Sequence, residues 1–165
     1  MEPNKLINMP SLQIGKTAPA FKAPVVGGNY NAGAIVSLAD LKGQTVVLYF
    51  YPKDNTPGCT VQACALRDGW KRIQKKATVF GVSVDSSNSH ASFIKKQSLP
   101  FPLISDETKE IVQSYGMWVE KSMYGKKYMG TERSTVIIGP DGKVLAILNK
   151  VKPAEHLDLV LQALG

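Results

Sequence analysis

The chain has 165 residues, 44% of them hydrophobic, which suits one domain with a real core and no need of crosslinks. Two cysteines are too few for a disulfide-stapled secreted scaffold, and no window approaches the roughly 18 apolar residues of a membrane span. The net charge of +7 lies in scattered pairs (Lys71 and Arg72, Lys75 and Lys76, Lys95 and Lys96, Lys126 and Lys127), so it describes solvated faces, with no nucleic-acid partner expected and only a mild attraction for acidic proteins.

Residues 1–14 read as an N-terminal arm. Their opening, MEPNKLINMP, holds no long apolar run, so neither a leader nor a membrane anchor is expected. The expected location is cytoplasmic, in a reducing compartment where a cysteine pair serves catalysis or metal binding more often than structure. Residues 19–26 fit an edge strand, because Pro19 and Pro24 argue against a central position. Residues 36–41 fit a short strand and a turn ending at Gly43.

The first strong element is TVVLYFY, residues 45–51. It is apolar on both faces and rich in β-branched and aromatic residues, as a buried parallel strand is. A helix is expected over 57–76, with Leu66, Trp70 and Ile73 on one face. A second buried strand follows at 79–84, then a helix at 89–97 capped by Ser87 or Ser89. A short strand is expected at 101–104 and a helix at 108–115 ending at Gly116. Residues 117–130 read as a long polar and aromatic loop. Ser134–Ile138 and Val144–Leu148 read as strands joined across Pro140, Asp141 and Gly142. Pro153 opens a last helix with Leu157, Val160, Leu161 and Leu164 on its apolar side. Strands alternate with helices and nothing repeats. One α/β domain over 15–165 is expected, a mixed central β-sheet flanked by helices.

Both cysteines fall in YPKDNTPGCTVQAC, residues 51–64. Cys59 sits where a buried strand hands over to a helix, and open α/β sheets form their sites at strand carboxyl ends. Thr56 fits the N-cap and Pro57 the first helical position. Cys59 then lies in the first turn, among backbone N–H groups with no intrahelical partner. A thiolate there gains from those donors and the helix dipole, and is expected to form more readily than at an ordinary cysteine. A cysteine at an arbitrary position is usually a small buried hydrophobe, but the helix start, with slim Gly58 beside it, favours the nucleophile.

Cys64 lies five residues on. In an intact helix the two α-carbons would be roughly 8–9 Å apart, from about 7.5 Å of rise and about 140° of rotation. A disulfide needs about 7 Å or less. The pair therefore cannot bond unless the helix turn unwinds, and the spacing alone leaves Cys64 open between a redox role and a core thiol. The gap is C-x4-C, unlike the C-x-x-C of dithiol oxidoreductases. His90 and His156 stand in no ligand-like spacing with the cysteines, so no metal is expected, and each reads as a surface residue rather than a catalytic base.

The stretch PKDNTPGC, Pro52 to Cys59, resembles the P-x-x-x-T-x-x-C motif of peroxiredoxins. YFYPKDNTPGCT with a cysteine five residues later, the MYGKKYMG segment and ERSTVIIGPDGKV are similar to the bacterioferritin comigratory protein or PrxQ subfamily. The likeness runs from Gly15 to the last helix. It implies a thioredoxin-like fold and a thiol-dependent peroxidase acting on hydrogen peroxide and organic hydroperoxides, with no cofactor. By the same resemblance Cys59 is the peroxidatic cysteine and Cys64 the resolving one, joined in an intramolecular disulfide that thioredoxin or a similar dithiol reductant reopens. Thr56 holds the thiolate and peroxide, Pro52 shields the pocket and Arg133 stabilises the thiolate. A monomer or weak dimer is implied, with a monomer expected. Gln62 stands where the subfamily often has glutamate; it can hydrogen-bond Arg133 but cannot neutralise it, which favours the thiolate. A thioredoxin-like disulfide reductase and a redox-sensing binding protein remain as alternatives, though neither needs Thr56 or Arg133.

Overall fold

The computed structural model describes residues 12–165, so most of the expected arm lies outside the described residues. In chain order the elements are β1 (Lys22–Val26), β2 (Ile35–Ser37), a 3-10 turn (Leu38–Leu41), β3 (Val46–Phe50), α1 (Pro57–Asp68), α2 (Trp70–Ile73), β4 (Thr78–Ser83), α3 (Ser87–Gln97), β5 (Leu103–Ser105), α4 (Glu110–Ser114), β6 (Trp118–Met123), β7 (Lys126–Thr131), β8 (Ser134–Ile138), β9 (Val144–Leu148) and α5 (His156–Leu164). Seven strands form one mixed sheet in the order β2-β1-β5-β4-β3-β8-β9. The three inner strands β5, β4 and β3 are parallel, while β8, β9, β1 and β2 pair antiparallel. The expected mixed sheet flanked by helices is what forms.

β3 shows why its sequence is apolar throughout. Val46, Leu48 and Phe50 join a core on one face with Phe80, Val82, Ile111, Val112 and Tyr115. Val47 and Tyr49 join a second core on the opposite face, with Cys59, Leu66, Ile73, Phe93 and Val160 from the helices. Each fully buried side chain of this size stabilises by roughly 1.5–3 kcal/mol, so a central strand buried on both sides has no tolerance for alternating polarity. The carboxyl ends of β3, β4 and β5 share one edge of the sheet, and α1 begins there.

Five expectations are corrected. β1 is interior rather than an edge, lying between β2 and β5. Val25 N–H donates to Ala34 on the β2 side, so Pro24, its neighbour, turns its missing donor the other way, where pairing with β5 begins only at Val25. The expected 57–76 helix breaks at Gly69 into α1 and α2. A Cβ at Gly69 would lie 2.7 Å from Leu157 Cδ2, so α5 packs against the break and a larger residue there would have to displace the Leu157 side chain. Leu66 and Ile73 are nonetheless buried on one side, with Trp70 packed beside them. The cap of α3 is Ser86, whose hydroxyl accepts from Ser89 N–H at 3.1 Å. The last helix starts at His156, three residues after Pro153.

The fifth correction concerns 117–130, which is a hairpin. β6 and β7 pair across Tyr124 and Gly125, both at positive φ (52° and 78°), the geometry of a tight hairpin turn. Both faces are largely exposed, so the strands never needed the apolar alternation that identifies a half-buried strand. The hairpin forms its own two-stranded sheet and returns the chain to Arg133.

Candidate active site

The chain leaves β3 at Tyr51 and turns through Pro52–Asn55 before α1 starts. Tyr51 O–H donates to Asp54 Oδ1 at 2.6 Å, and Asn55 takes a left-handed conformation with φ of 61°. Thr56 occupies the N-cap with extended backbone (φ −91°, ψ 154°) and Pro57 follows at the first helical position. The expected side-chain cap is absent, however. Thr56 Oγ1 donates instead to Lys53 carbonyl oxygen at 2.7 Å, closing the turn rather than the helix. The first α-helical bond runs from Thr60 N–H to Thr56 O, so the N–H groups of Gly58 and Cys59 precede it and have no intrahelical acceptor.

Cys59 lies in this turn, 1% exposed, with its sulfur free. Arg133 Nη2 donates to Sγ at 3.4 Å, and Nη1 donates to Gln62 Oε1 at 2.6 Å. The guanidinium therefore spans one turn of α1 from Cys59 to Gln62. Gly58 makes this possible: a Cβ there would stand 3.1 Å from Arg133 Nη2. Arg133 arrives from between β7 and β8, and its carbonyl accepts Val151 N–H at 2.9 Å, which fixes the backbone from which it reaches. A permanent cation thus stands 3.4 Å from the buried Cys59 sulfur, aimed at the atom that would carry charge.

Of the five residues expected at the site, the structure brings Cys59 and Arg133 into direct contact. Thr56 and Pro52 bracket the turn that precedes them, and both are half-buried. Cys64 remains on the intact α1 with its sulfur donating to Gln97 Oε1 at 3.4 Å, and both thiols are free.

Several neighbours were not legible in the sequence. Tyr49 is fully buried with its hydroxyl unpartnered, and burial, followed by the proximity of Cys59, holds its phenol in the neutral form. Lys121 on β6 has its pKa lowered by burial and then by repulsion from Arg133, so the hairpin adds a second cation to this region. An open groove lined by Val119, Lys121, Tyr128, Arg133 and Lys150 leads along the hairpin to the guanidinium. The two histidines, expected at the surface, are both fully buried. His156 packs beside Tyr49 and hydrogen-bonds Thr135 Oγ1 at 2.7 Å. His90 pairs with Asp54 at 2.7 Å. With Asp85 these two form a set of possible ligand atoms within 4.8 Å of one another, but both nitrogens of His90 are already occupied, by Asp54 and by Ile104 carbonyl, so the set is a closed hydrogen-bond network and offers no open coordination.

A thiol at a helix start, held by an arginine on a thioredoxin-like sheet, defines a thiol-dependent redox enzyme. Residues 14–147 match the model of the AhpC/TSA family. The chain is 45% identical to a putative peroxiredoxin bcp of Coxiella burnetii, over 89% of this chain and 95% of that protein. It is 41% identical to peroxiredoxin Bcp of Escherichia coli, over 93% and 96%. The Xanthomonas campestris bacterioferritin comigratory protein, solved in trapped-intermediate and ligand complexes, superposes with a TM-score of 0.79 at 38% identity, covering 87% of this chain and 89% of that one. A cysteine-to-serine mutant of Xylella fastidiosa PrxQ gives 0.81 at 35% identity, over 94% and 96%. The chain belongs to the AhpC/TSA family and, within it, to the Bcp and PrxQ peroxiredoxins, which are thiol-dependent peroxidases.

Proposed function

We propose that Cys59 is the peroxidatic residue and Cys64 the resolving one in an atypical two-cysteine cycle that reduces hydrogen peroxide and organic hydroperoxides. The observation that carries this reading is the 3.4 Å contact between Arg133 Nη2 and Cys59 Sγ at an uncapped helix start. The thiolate attacks the terminal oxygen of R–O–O–H. An S–O bond forms as the O–O bond breaks, RO⁻ leaves and takes up a proton, and Cys59 becomes a sulfenic acid. Arg133 and the free N–H groups of the first turn stabilise the charge that develops on the peroxide oxygens, while Pro52 and Thr56 shape the pocket around them. The start of α1 then unwinds. Cys64 attacks the Cys59 sulfur, an S–S bond forms and water leaves. A dithiol reductant of the thioredoxin type restores both thiols by exchange and is itself oxidised to a disulfide.

The relatives named as peroxiredoxins support peroxide as substrate. Among the described residues no helix is long and apolar enough to cross a membrane. We place the working protein in the cytoplasm as a monomer with no nucleic-acid partner and no cofactor, and 15–165 as its single domain. The test is peroxide consumption by two variants. Cys59→Ser is expected to lose all activity. Cys64→Ser is expected to complete one turnover and then slow, and thioredoxin-coupled turnover at the wild-type rate in that variant would remove Cys64 from the cycle.

A further inference from the structure

The turn that carries Pro52 and Thr56 is tied down by a side-chain network that the reaction above does not use. Asp54, at its centre, is 5% exposed. Its carboxylate accepts from Tyr51 O–H at 2.6 Å, from Ser89 O–H at 2.8 Å and from His90 Nδ1 at 2.7 Å. His90 Nε2 faces Ile104 carbonyl oxygen at 2.9 Å, and a carbonyl can only accept, so Nε2 carries a hydrogen. Nδ1 faces the Asp54 carboxylate, so both ring nitrogens are engaged and the imidazole is fixed in place. Burial alone would raise the Asp54 pKa, but the His90 hydrogen bond and charge, with the two hydroxyls, outweigh it and leave it lowered. The backbone N–H of Asp54 donates to Asp85 Oδ2 at 2.9 Å, and Asp85 is fixed in turn by Ser83 O–H at 2.6 Å and, through its carbonyl, by Ser105 O–H at 2.6 Å. The turn is thus bonded to the carboxyl ends of β4 and β5 and to the first turn of α3.

α3 also holds the other half of the reaction. Its last residue, Gln97, accepts the Cys64 thiol on its side chain at 3.4 Å and Arg67 Nη1 on its carbonyl at 2.8 Å. His90 and Gln97 are about 10 Å apart along the helix, from about 1.5 Å of rise per residue. One helix therefore holds this segment twice, at the turn that leads into α1 and on α1 itself at Cys64 and Arg67.

We infer that the buried Asp54–His90 pair is a positioning element that latches the Pro52–Thr56 turn to α3, setting the geometry in which Cys59 meets peroxide and restraining the unwinding that Cys64 requires. Asp54 hydrogen-bonds neither sulfur and acts through the turn it fixes. Loosening that turn misplaces the groups around Cys59, and misplacement on the scale of 1 Å can cost up to about 100-fold in rate. The same loosening removes one of the two holds on this segment, so the later step becomes easier. The latch therefore opposes resolution while it supports oxidation.

This rests on the assignment of Cys59 and Cys64 above, and rapid mixing of the intact reduced protein with hydrogen peroxide separates the two. The readouts are the second-order rate of Cys59 oxidation and the first-order rate of disulfide formation, each followed by quenching and mass analysis. In Asp54→Asn and in His90→Gln, oxidation is expected to slow by roughly 10- to 100-fold while disulfide formation accelerates by at least about twofold. Ser89→Ala removes a single bond to Asp54 and is expected to move both rates the same way by a smaller factor, which keeps the test open if the buried variants fold poorly. Destabilisation of the core away from this turn is not expected to move the two steps in opposite directions. Variants that lower the melting temperature while leaving both rates unchanged, or that slow both alike, would overturn the latch. Wild-type protein that forms no Cys59–Cys64 bridge would instead overturn the reading on which it rests.

Discussion

At the scale of the residue, the proposed reactivity rests on one contact. Arg133 gives Cys59 a charged donor and shares itself with neutral Gln62, so its charge is not cancelled within the first turns of α1. Hydrogen bonds to charged groups are worth roughly 1.5–3 kcal/mol, so Arg133→Met is expected to slow both peroxide reduction and iodoacetamide alkylation of Cys59 at neutral pH by roughly 10- to 100-fold. Gln62→Glu places a carboxylate on the guanidinium and is expected to slow the same alkylation. Alkylation profiles against pH check both, and a Gln62→Glu profile unmoved or displaced toward lower pH contradicts this view of Gln62. The placement of Cys59 at a strand end and in a first helical turn was legible from local position, whereas Pro52 and Thr56 were singled out through the motif. Arg133 was legible from its motif, though its contact with Cys59 crosses 74 residues. Asp54 and His90 were not legible, because an aspartate in a turn and a histidine in a polar helix are each ordinary, and their pairing across 36 residues exists only in the fold.

At the scale of the element, packing overrode local signals in three places. The α1–α2 break lies at Gly69, where Leu157 packs close to the backbone, and the β6–β7 hairpin carries no apolar alternation because both its faces are largely exposed. β1 tolerates a proline inside the sheet because its two partners divide its length. Gly81 in β4 illustrates the same rule close to the site. A Cβ there would lie 2.6 Å from Leu103 Cδ2 and 2.9 Å from the Tyr49 ring, which packs beneath α1. Gly81→Ala is expected to destabilise the protein by roughly 1–3 kcal/mol, as overpacked cores do, read as a lower urea midpoint with unchanged slope. α1 itself must open for Cys64 to reach Cys59. Amide hydrogens at Thr60 to Cys64, protected in the reduced helix, are expected to exchange faster after oxidation, and unchanged protection in the disulfide form would contradict the unwinding step.

For the whole molecule, the alternation of apolar strands and amphipathic helices was enough to give the sheet class, because a strand buried on both faces has little freedom in composition. The order of strands and the placement of the hairpin depend on contacts between distant segments and were not readable. One global property follows from a buried histidine. His156 has its pKa pushed down to about 3 by burial and then by the charge of Arg133. Unfolded, it titrates near its usual 6.5, so below that pH the unfolded chain binds a proton the folded one refuses. This contribution is complete above about 6.5 and is lost as pH falls toward 3, whereas the carboxylates titrate in the lower part of that range. Urea midpoints are expected to fall between about pH 6.5 and 4.5, and His156→Gln is expected to flatten that slope; an equal slope in both proteins would exclude His156 as its source. The account as a whole depends on Cys59 meeting the peroxide first and handing the oxidation to Cys64. Mass spectrometry of the intact chain after one equivalent of hydrogen peroxide, with peptide mapping, tests this directly. The expected result is the loss of two hydrogen atoms and a Cys59–Cys64 bridge, and recovery of both cysteines as unmodified thiols would contradict it.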